Sequence, residues 1–425
     1  MSEAPIRQAV ILVGGKGTRL GEITRDIPKP MLPIASDRPF LDHLLEMVER
    51  HGYQDIVLLA GHLGDCVTEA YDGRRIGGAA VRVLREPEPL GTGGALTVAR
   101  AVLDERFLLM NGDAMFDINL RALEQTARQS GVLATLALRM VPDVSRYGRV
   151  VEVDGRVTQF LEKDPNHNGP GTINGGIYVL KRELLDLIGQ LPCSIEQDVF
   201  PLLVQRGQIA GACFGGYFLD VGIPEALETG HRELPGVRVR PAAFLDRDGV
   251  INVDDGYSHR VEDLRLIAGA VEAIRLLNDR GYYVFVVTNQ AGIARGYYSL
   301  DDARGFNQAI QDRLALEGAH VDRFYLSPYH PEGIVAEFAM DHFDRKPNPG
   351  MLLRAMAEWP VVKERSFLVG DKDTDLQAAE RAGVPGHLFG GGDLAGFIAS
   401  ILASEESQMG QHTNRRRSQF QSQDE

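Results

Sequence analysis

Residues 8–20 read QAVILVGGKGTRL and join an apolar run of strand character to a glycine-rich turn and a helical pattern. Glycines in such a turn let backbone N–H groups approach phosphate oxygens, and the N-terminus of the following helix favours negative charge. The spacing fits neither GxxxxGK[ST] nor GxGxxG, because Lys16 lies between glycines and position 20 is Leu. The stretch therefore predicts a phosphate-binding turn outside the P-loop and dinucleotide-binding classes.

Further along the chain, apolar strand-like runs recur, each followed by a glycine or aspartate turn and a helical pattern. The clearest runs are Ala9–Val13, Ile56–Ala60, Phe107–Met110, Ala242–Leu245, Tyr283–Thr288 and Ser366–Val369. This alternation predicts an α/β protein with two Rossmann-like α/β/α domains and largely parallel sheets. In such sheets ligands bind beyond the carboxyl ends of the strands.

The glycine turn is followed by PKPMLP at residues 28–33. Together these segments resemble the sugar-phosphate nucleotidyltransferase family, whose signature is GGxGTRL followed by PKPM. The resemblance extends to about residue 230 and implies a GT-A-like domain. Further matches lie at residues 88–94, 111–113, 160–163, 173–176 and 218–222.

The resemblance implies attack of a sugar 1-phosphate on the α-phosphorus of a nucleoside triphosphate, with Mg²⁺ bound by Asp113 and Asp220. Arg19 and Lys29 would stabilise the phosphates by alignment and charge, without a covalent intermediate. The implied nucleotide-side residues are Gly14, Gly15, Gly17, Thr18, Glu86, Gly91 and Thr92. The implied sugar-side residues are Glu162, Lys163, Asn174 and Gly175.

The base is less constrained than the reaction. A carboxylate at Glu86 or Glu88 can accept hydrogen bonds from the adjacent N1–H and N2–H₂ donors of guanine, although Glu88 can equally be a solvated residue. We therefore expect GTP as the nucleotide.

The second half begins after LPGVRVRP, residues 234–241, which has proline at both ends. We predict a transferase domain over 1–234, a linker over 235–241, a second domain over 242–402 and a disordered polar tail over 403–425. The halves carry different motifs, which indicates a fusion.

The strand at 242–245 ends in DRDGV, a DxDG(V/T) motif. TNQ at 288–290, RKP at 345–347 and GDKDTD at 370–375 follow in order at predicted strand ends or loops. Over residues 242–390 the chain resembles the haloacid-dehalogenase (HAD) phosphatases. The short insertions between motifs imply a HAD-like domain without a large cap.

This resemblance assigns Asp246 as the nucleophile that becomes an aspartyl-phosphate and Asp248 as general acid and then base. It implies Mg²⁺ bound by Asp246, the backbone carbonyl of Asp248 and Asp371. Thr288 and the Asn289 backbone would donate to phosphoryl oxygens, and Lys346 would neutralise charge. Asp375 would orient Lys346 or a metal-bound water, unless it is only a helix cap.

Within the superfamily, FLDRDGVIN, TNQAGIARGYY and RKPNPGM look most like the heptose-bisphosphate phosphatases, with the histidinol phosphatases close behind. That likeness places Arg295 and Arg345 against the substrate. The relatives carry a cysteine- and histidine-based zinc loop. The matching positions are Ser327, Tyr329, His342 and Asp344, a poor zinc set, so we predict no structural zinc and a loop packed by Phe338 and Phe343.

The first half looks most like the heptose 1-phosphate guanylyltransferases, so the two resemblances meet on consecutive steps towards a GDP-heptose. Three alternatives stay open. The transferase could use mannose or another hexose 1-phosphate, with another nucleotide; the phosphatase could act on histidinol phosphate or another small phosphomonoester; or one half could be a non-catalytic sensor of nucleotide sugars.

Composition limits the partners of the chain. A formal net charge of −14 argues against a nucleic-acid-binding face, and no apolar run approaches the length of a membrane span. The chain has 3 cysteines, widely spaced, which fits a reducing, cytoplasmic setting. We expect small-molecule partners, GTP and heptose phosphates, and leave a homo-oligomer open.

Overall fold

The computed structural model describes residues 4–15, 17–34, 38–145, 147–161 and 169–421, with only the backbone for Thr18, Arg19 and residues 408–421. The chain forms two compact units that divide between Arg238 and Val239. Both are mixed α/β, which confirms the predicted fold class.

The N-terminal unit is built on strands and helices in alternation. Its strands are β1 (Gln8–Leu12), β2 (Asp55–Ala60), β3 (Arg75–Ile76), β4 (Ala79–Arg85), β5 (Arg106–Asn111), β6 (Ala114–Asp117), β7 (Ala134–Val141), β8 (Arg149–Val153), β9 (Arg156–Leu161), β10 (Gly171–Lys181), β11 (Ile209–Cys213) and β12 (Tyr217–Asp220). Its helices are α1 (Phe40–Arg50), α2 (Gly64–Tyr71), α3 (Gly91–Ala99), α4 (Leu120–Ser130), α5 (Phe200–Gln205) and α6 (Pro224–Val237).

The main sheet has ten strands in the order β3-β4-β2-β1-β5-β10-β7-β11-β9-β8, and β12 pairs with β6 in a separate ribbon. Alternate residues of β1 enter different cores, Ala9 and Ile11 on one face and Val10 on the other, as the two-residue period of a strand requires. Strand β10 runs antiparallel to β5 and β7. The sheet is therefore mixed, and the expectation of largely parallel pairing holds only for β1, β2, β4 and β5 and for the pair β7–β11.

The C-terminal unit has one five-stranded parallel sheet in the order β15-β14-β13-β16-β17 among its described residues. The strands are β13 (Ala242–Leu245), β14 (Tyr283–Asn289), β15 (Arg323–Ser327), β16 (Phe367–Gly370) and β17 (Gly386–Leu388). The helices are α7 (Ala270–Asp279), α8 (Ala291–Ala294), α9 (Leu300–Leu316), α10 (Gly350–Glu358), α11 (Asp373–Ala382) and α12 (Leu394–Gln421). No second sheet forms a cap in the described part of this unit.

The predicted linker over 235–241 is wrong at both ends. Helix α6 continues through Pro235 to Val237, because the fully buried Leu234 fixes its last turn against the core. On the other side, the Arg240 N–H donates to Pro360 O at 3.1 Å and Arg240 O accepts from Val362 N at 2.7 Å. Backbone pairing therefore draws Arg240 into the second unit.

The disorder predicted from residue 403 is also wrong for the backbone, since α12 continues to Gln421. Its first turns bury Leu394, Ile398, Ile401 and Leu402 at helical spacing. Beyond them, Glu405 accepts a hydrogen bond from Tyr282 Oη at 2.7 Å. Buried apolar contacts and this bond carry the helix past the predicted end of the domain. No helix in the described ranges combines the length and apolar character that a membrane crossing requires.

Candidate active sites of the two units

The second unit gathers its motif residues at the carboxyl edge of the sheet. Asp246 directly follows β13, Thr288 lies near the end of β14 and Asp371 directly follows β16. These three strands are neighbours and parallel, so their carboxyl ends share one edge. Residues more than 120 positions apart in sequence therefore meet in one site.

Asp246 is buried and ion-paired. Its side chain lies 2.9 Å from Lys346 Nζ, which is also 2.6 Å from Asp375 Oδ1. Burial raises the pKa of Asp246 to about 7, against the opposing effect of Lys346. Burial also acts to lower the pKa of Lys346, but the two carboxylates outweigh it and the pKa is raised. The lysine therefore stays charged and favours the carboxylate form of Asp246.

Asp375 combines the roles between which the sequence could not choose. One oxygen contacts Lys346, and the other accepts the Lys372 backbone N–H at 3.0 Å in the first turn of α11. It is both a helix-capping residue and the group that orients the lysine.

A metal ion fits this edge. Carboxylate oxygens of Asp246, Asp371 and Asp375 lie within 4.8 Å of one another, and among the described residues this is the one such cluster of three or more His, Cys, Asp or Glu. Asp371 Oδ1 is buried without a hydrogen-bond partner. Gly249, at φ 89°, passes so close to Asp371 that a Cβ there would collide with the carboxylate. Hard oxygen donors and an unsatisfied carboxylate oxygen suit Mg²⁺.

Asp248 is held by three side chains. Arg247 Nη2 lies 2.9 Å from Asp248 Oδ2, Gln290 Nε2 donates to the same oxygen at 2.9 Å, and Asn252 Nδ2 donates to Oδ1 at 3.0 Å. Its carboxylate is therefore oriented by the protein itself. Asp248 does not belong to the described cluster of three carboxylates, so binding of an ion through its backbone carbonyl stays a prediction.

Arg247 has no predicted role, because the position between the two motif aspartates reads as a spacer. It is fully buried and stacks over the Phe306 ring at 4.7 Å. It also donates to Asn307 Oδ1 at 3.1 Å and to Ser258 O at 2.6 Å. Full burial of an arginine would have indicated a structural or catalytic role, but burial cannot be read from a single sequence.

The TNQ segment connects the motifs. Thr288 Oγ1 accepts from Gln290 Nε2 at 2.8 Å, and the Asn289 side chain bonds both the carbonyl and the N–H of Lys346, at 2.9 and 3.0 Å. Asn289 thus fixes the backbone at Lys346, a role that the sequence did not predict.

Two arginines of the same unit, Arg295 and Arg345, lie close to each other. Arg295 Nη2 lies 3.3 Å from His330 Nε2, and Arg345 Nη1 donates to Tyr329 O at 3.1 Å. Burial lowers the pKa of Arg345, and the positive charge of Arg295 lowers it further. Two guanidinium groups that repel each other favour an anion between or beside them.

The loop that matches the relatives' zinc loop is held by rings. Tyr329 stacks on His342 with centroids 3.8 Å apart and planes at 17°, and Phe338 meets Tyr329 edge-on at 5.9 Å. Asp344 pairs with Arg354 at 2.7 Å. The expected packing by Phe343 is wrong, because that side chain is 59% exposed. The ring stack occupies two of the four positions, Tyr329 and His342, that the sequence comparison matched to a zinc loop.

In the first unit, the glycine turn follows β1 and lies against Glu86. A Cβ at Gly14 would come within 2.6 Å of Glu86 Oε1, and one at Gly61 within 3.1 Å. Glu86 Oε2 accepts the Leu90 N–H at 3.1 Å. Burial raises the pKa of Glu86, although the Leu90 bond opposes it, whereas Glu88 is exposed. The structure thus sets Glu86 apart as the carboxylate beside the glycine turn.

Of the other predicted residues in this turn, Gly15 has space for a side chain, because a Cβ there would meet nothing within 4 Å, and Gly17 adopts φ 61°. Thr18 and Arg19 lie in the 3₁₀ turn Thr18–Thr24. The side chains of Thr18 and Arg19 are not described, and Glu162 and Lys163 lie outside the described residues.

The loop at the start of α3 is anchored to Cys193. Gly91 adopts φ 80°, where a Cβ would collide with Cys193 O, and the same carbonyl accepts the N–H groups of Gly93 and Gly94 at 2.9 and 3.2 Å. Thr92 Oγ1 donates to Glu196 Oε2 at 2.7 Å. Glycine is required here for close approach of the backbones.

The sugar-side residues lie at an irregularity in β10. The register with β7 shifts between Asn174 and Tyr178, and a Cβ at Gly175 would collide with Phe116. Asn174 Nδ2 donates to Tyr178 Oη at 2.8 Å, and Tyr178 Oη donates to Glu196 Oε1 at 3.3 Å. Glu196 therefore connects Thr92 and Asn174, although no motif marked it.

The two predicted metal carboxylates are brought together by the β6–β12 ribbon. Asp220 pairs with Ala114, and the Val221 N–H donates to Asp113 O at 3.0 Å. Lys29 Nζ, nearly buried, lies 2.7 Å from Asp113 Oδ2, while the Asp113 side chain is 45% exposed. Asp220 Oδ1 accepts the Gly222 N–H at 2.9 Å. Asp113 and Asp220 are thus neighbours on paired strands, and Asp113 contacts a nearly buried lysine, an arrangement that suits a Mg²⁺ site for a polyphosphate.

Each unit thus carries its own carboxylate-centred site on an α/β sheet, one behind a glycine turn and one with a buried, ion-paired aspartate. These features define a fusion of a nucleotide-transferring enzyme with an aspartate-based phosphatase. The chain belongs to the nucleotidyl transferase family, whose model matches residues 8–235, and a HAD-hydrolase-like family model matches residues 343–395.

Curated relatives match each half separately. Over 163 residues, 38% of this chain and 91% of the relative, the chain is 47% identical to the D-glycero-beta-D-manno-heptose-1,7-bisphosphate 7-phosphatase of Rhodopseudomonas palustris. It is 46% identical to the D-glycero-alpha-D-manno-heptose-1,7-bisphosphate 7-phosphatase of Burkholderia mallei, over 34% of this chain and 76% of the relative. Over 53% of this chain and 98% of the relative, it is 34% identical to the D-glycero-alpha-D-manno-heptose 1-phosphate guanylyltransferase of Aneurinibacillus thermoaerophilus. These matches confirm both family resemblances.

Proposed function

We propose that this chain catalyses two consecutive reactions on heptose phosphates. The C-terminal unit removes the 7-phosphate of D-glycero-D-manno-heptose 1,7-bisphosphate. The N-terminal unit then transfers GMP from GTP to the heptose 1-phosphate, which gives GDP-heptose and pyrophosphate. The observation that carries the proposal is that each unit holds a separate catalytic site, and that each matches a relative acting on a heptose phosphate.

In the phosphatase, an Asp246 carboxylate oxygen attacks phosphorus, and the bond from phosphorus to the C7 oxygen breaks. The leaving oxygen takes a proton from Asp248, which afterwards accepts a proton from the water that attacks the aspartyl-phosphate. Lys346 keeps the nucleophile ionised, as the 2.9 Å ion pair supports. Thr288 and the Asn289 backbone donate to the transferred phosphoryl group.

Bound Mg²⁺, held by Asp246, Asp371 and the Asp248 carbonyl, would supply positive charge that lets the anionic phosphate approach two carboxylates. The buried and unpaired Asp371 Oδ1 supports this assignment. Asp375 is assigned to Lys346 instead of the ion, because it already contacts the ammonium group at 2.6 Å. No structural zinc is part of the proposal, since rings occupy positions Tyr329 and His342.

Arg295 and Arg345 are assigned to the remote phosphate of the bisphosphate. Arg345 is half-buried beside a second guanidinium group, and Arg295 Nε is buried without a hydrogen-bond partner. A buried donor without a protein partner, in a guanidinium group beside a second positive charge, supports recognition of a second anionic group. This pair favours a bisphosphate over a monophosphate such as histidinol phosphate.

In the transferase, a phosphate oxygen of the sugar 1-phosphate attacks the α-phosphorus of GTP, and the bond to pyrophosphate breaks. Asp113 and Asp220 would hold Mg²⁺, which supplies charge neutralisation for the triphosphate. Lys29 lies against Asp113 at 2.7 Å and is assigned to the α-phosphate. The glycine turn and Arg19 are assigned to the remaining phosphates, and Glu162, Lys163, Asn174 and Gly175 to the sugar phosphate.

Guanine is assigned to Glu86. Its carboxylate lies beside Gly14, Oε2 is anchored by the Leu90 N–H, and no residue within the described ranges donates a hydrogen bond to Oε1. A fixed acceptor beside the glycine turn suits the two adjacent donors of guanine, which adenine and the pyrimidines do not present together.

The test incubates the intact chain with Mg²⁺, GTP and either anomer of heptose 1,7-bisphosphate, and follows products by mass spectrometry. We expect GDP-heptose from the α-anomer, because the guanylyltransferase relative is named for an α-1-phosphate. Parallel reactions replace the bisphosphate by mannose 1-phosphate or histidinol phosphate, and GTP by ATP, UTP or CTP. Preference for any of these would overturn the corresponding assignment.

A further inference from the structure

Glu196 is a hydrogen-bond hub that no sequence motif marks. It lies on the π-helical turn Ile195–Val199, a type of turn that is rare and frequently found at functional sites. Its carboxylate accepts from the hydroxyl groups of Thr92 at 2.7 Å, Ser194 at 3.2 Å and Tyr178 at 3.3 Å. Such a concentration of hydroxyl donors on one carboxylate fixes its position.

The hub connects two predicted subsites. Thr92 belongs to the loop at the start of α3, on the nucleotide side. Tyr178 is fully buried in β10, and its hydroxyl accepts from Asn174 Nδ2 at 2.8 Å, on the sugar side. Asn174 Oδ1 accepts the Gly176 N–H at 3.0 Å, so this asparagine is fixed at both ends of its amide.

The carboxylate sets the direction of every bond in this chain of contacts. It has no proton to give, so the Thr92 and Tyr178 hydroxyls must donate to it. Thr92 Oγ1 is then left to accept the Ile195 N–H at 2.9 Å. Burial, together with the charge of Glu196, raises the pKa of Tyr178 well above its ordinary value, so its hydroxyl keeps the proton.

Direct contact with substrate phosphate does not account for Glu196. Two anionic substrates meet in this site, and a carboxylate would repel both. Three of its acceptor positions are already used by protein hydroxyls. Its place between the two subsites is explained if it holds them at a fixed separation, because transfer between two bound substrates depends on their alignment.

We propose that Glu196 is a positioning residue of the transferase reaction, which fixes the nucleotide loop through Thr92 and the sugar-side Asn174 through Tyr178. The inference rests on the proposed transferase function and on the predicted roles of Thr92 and Asn174.

The test measures KM for GTP and for the sugar 1-phosphate separately in Glu196→Gln. The glutamine oxygen should stay at Thr92 and Ser194, because that orientation keeps two bonds, which places the amide nitrogen at Tyr178. The amide nitrogen cannot accept a hydrogen bond from the Tyr178 hydroxyl, so Tyr178 no longer has a fixed orientation from which to hold Asn174. We expect KM for the sugar 1-phosphate to rise about tenfold and KM for GTP to stay within about twofold.

Two further variants test the contacts of Glu196 with Tyr178 and with Thr92 separately. Tyr178→Phe removes the sugar-side hydroxyl and should reproduce the selective rise in sugar KM. Thr92→Val removes the nucleotide-side hydroxyl and should raise KM for GTP instead. Gln197→Ala changes an exposed neighbour on the same turn and is the matched control, with neither KM changed. Phosphatase activity, measured on the same samples, reports that the chain is folded.

The outcomes separate the two levels of the proposal. A wild-type chain that makes no nucleotide sugar from any sugar 1-phosphate overturns the proposed transferase function and this inference with it. A working wild type in which Glu196→Gln raises both KM values equally, or neither, overturns the inference alone. If Glu196→Gln folds poorly, Tyr178→Phe decides, and an unchanged sugar KM in that variant overturns the inference.

Discussion

The two catalytic sites differ in how much of each is assembled before substrate arrives. In the phosphatase, the Asp246 side chain is 9% exposed and ion-paired, and Asp248 is bonded by three side chains. In the transferase, Asp113 is 45% exposed, and its one described side-chain partner is Lys29. The difference follows from the chemistry.

A protein nucleophile must be ionised and aimed by the protein itself, because it forms a covalent bond to phosphorus. In a direct transfer both reacting groups arrive with the substrates, so the protein needs accessible carboxylates and a way to keep two subsites in register. In the phosphatase, hydrogen bonds and ion pairs therefore fix individual catalytic side chains. In the transferase, they fix the loops of the two subsites relative to each other. The predictions below test this contrast, from the largest expected effect to the smallest.

The largest expected effect comes from removing one central carboxylate in each site. Asp246→Asn should lower phosphatase kcat by roughly 10⁴-fold or more and leave guanylyl transfer unchanged. Asp113→Asn should abolish transfer and leave phosphate release unchanged. Phosphate and GDP-sugar are measured on the same samples. If either variant loses both activities while its melting temperature is unchanged, the sites are not independent and the contrast breaks.

Lys346→Met tests whether the phosphatase nucleophile depends on protein charge. The lysine lowers the pKa of Asp246, which burial raises to about 7, so its removal should raise that pKa further. The carboxylate then forms only at higher pH, and the rising limb of the phosphatase pH–rate profile should move upward. At neutral pH the rate should fall roughly 10²-fold. The exposed Lys363→Met is the control, and an unshifted profile in Lys346→Met would contradict the assignment.

Glu86→Gln tests whether the carboxylate of Glu86 recognises guanine in the transferase site. The substitution keeps the shape but replaces one acceptor by a donor, which opposes guanine N1–H or N2–H₂. We expect kcat/KM for GTP to fall about tenfold relative to ATP. The exposed neighbour Glu88→Gln is the matched control. A fall in Glu88→Gln and none in Glu86→Gln would transfer the role to Glu88.

Tyr329→Ala should have the smallest effect, on stability. Loss of the ring stack with His342 should lower the free energy of unfolding of the C-terminal unit by about 1–2 kcal/mol. The chain has 1 tryptophan, Trp359 in the C-terminal unit, so its fluorescence during urea unfolding reports that unit alone.

The exposed Phe343→Ala is the control for the same loop and should change stability little. Metal analysis of wild type should find no stoichiometric zinc, and zinc bound at this loop would contradict the stacking account.

The sequence predicted the α/β class, the strands that carry Asp246 and Asp371, and the motif residues that the structure brings together. Local patterns suffice there, because a buried parallel strand followed by a polar turn places its next residue at the carboxyl edge. The mixed sheet was not predictable from the same signals, since the pairing of β10 with β5 and β7 depends on contacts far apart in sequence.

Residues that act through other side chains were missed. Glu196 and Arg247 stand in segments that read as ordinary helix or spacer, and their roles arise from partners such as Thr92 and Ser258 that only the fold brings near. The tail was mispredicted for a related reason. Composition indicated a polar segment, but burial of Ile398 and Ile401 extends α12 from the core side.

Arg247 has a consequence for attempts to change what the phosphatase accepts. The same Nη2 atom bonds Asp248 at 2.9 Å and the Ser258 carbonyl at 2.6 Å. The loop that carries Ser258 therefore cannot be exchanged on its own. A replacement that moves this carbonyl would release the guanidinium that orients Asp248, the proposed general acid. A redesign that exchanges loops between relatives must keep Arg247 and its carbonyl partner together. Otherwise Asp248 loses its fixed orientation, and we expect kcat to fall even where substrate selectivity changes.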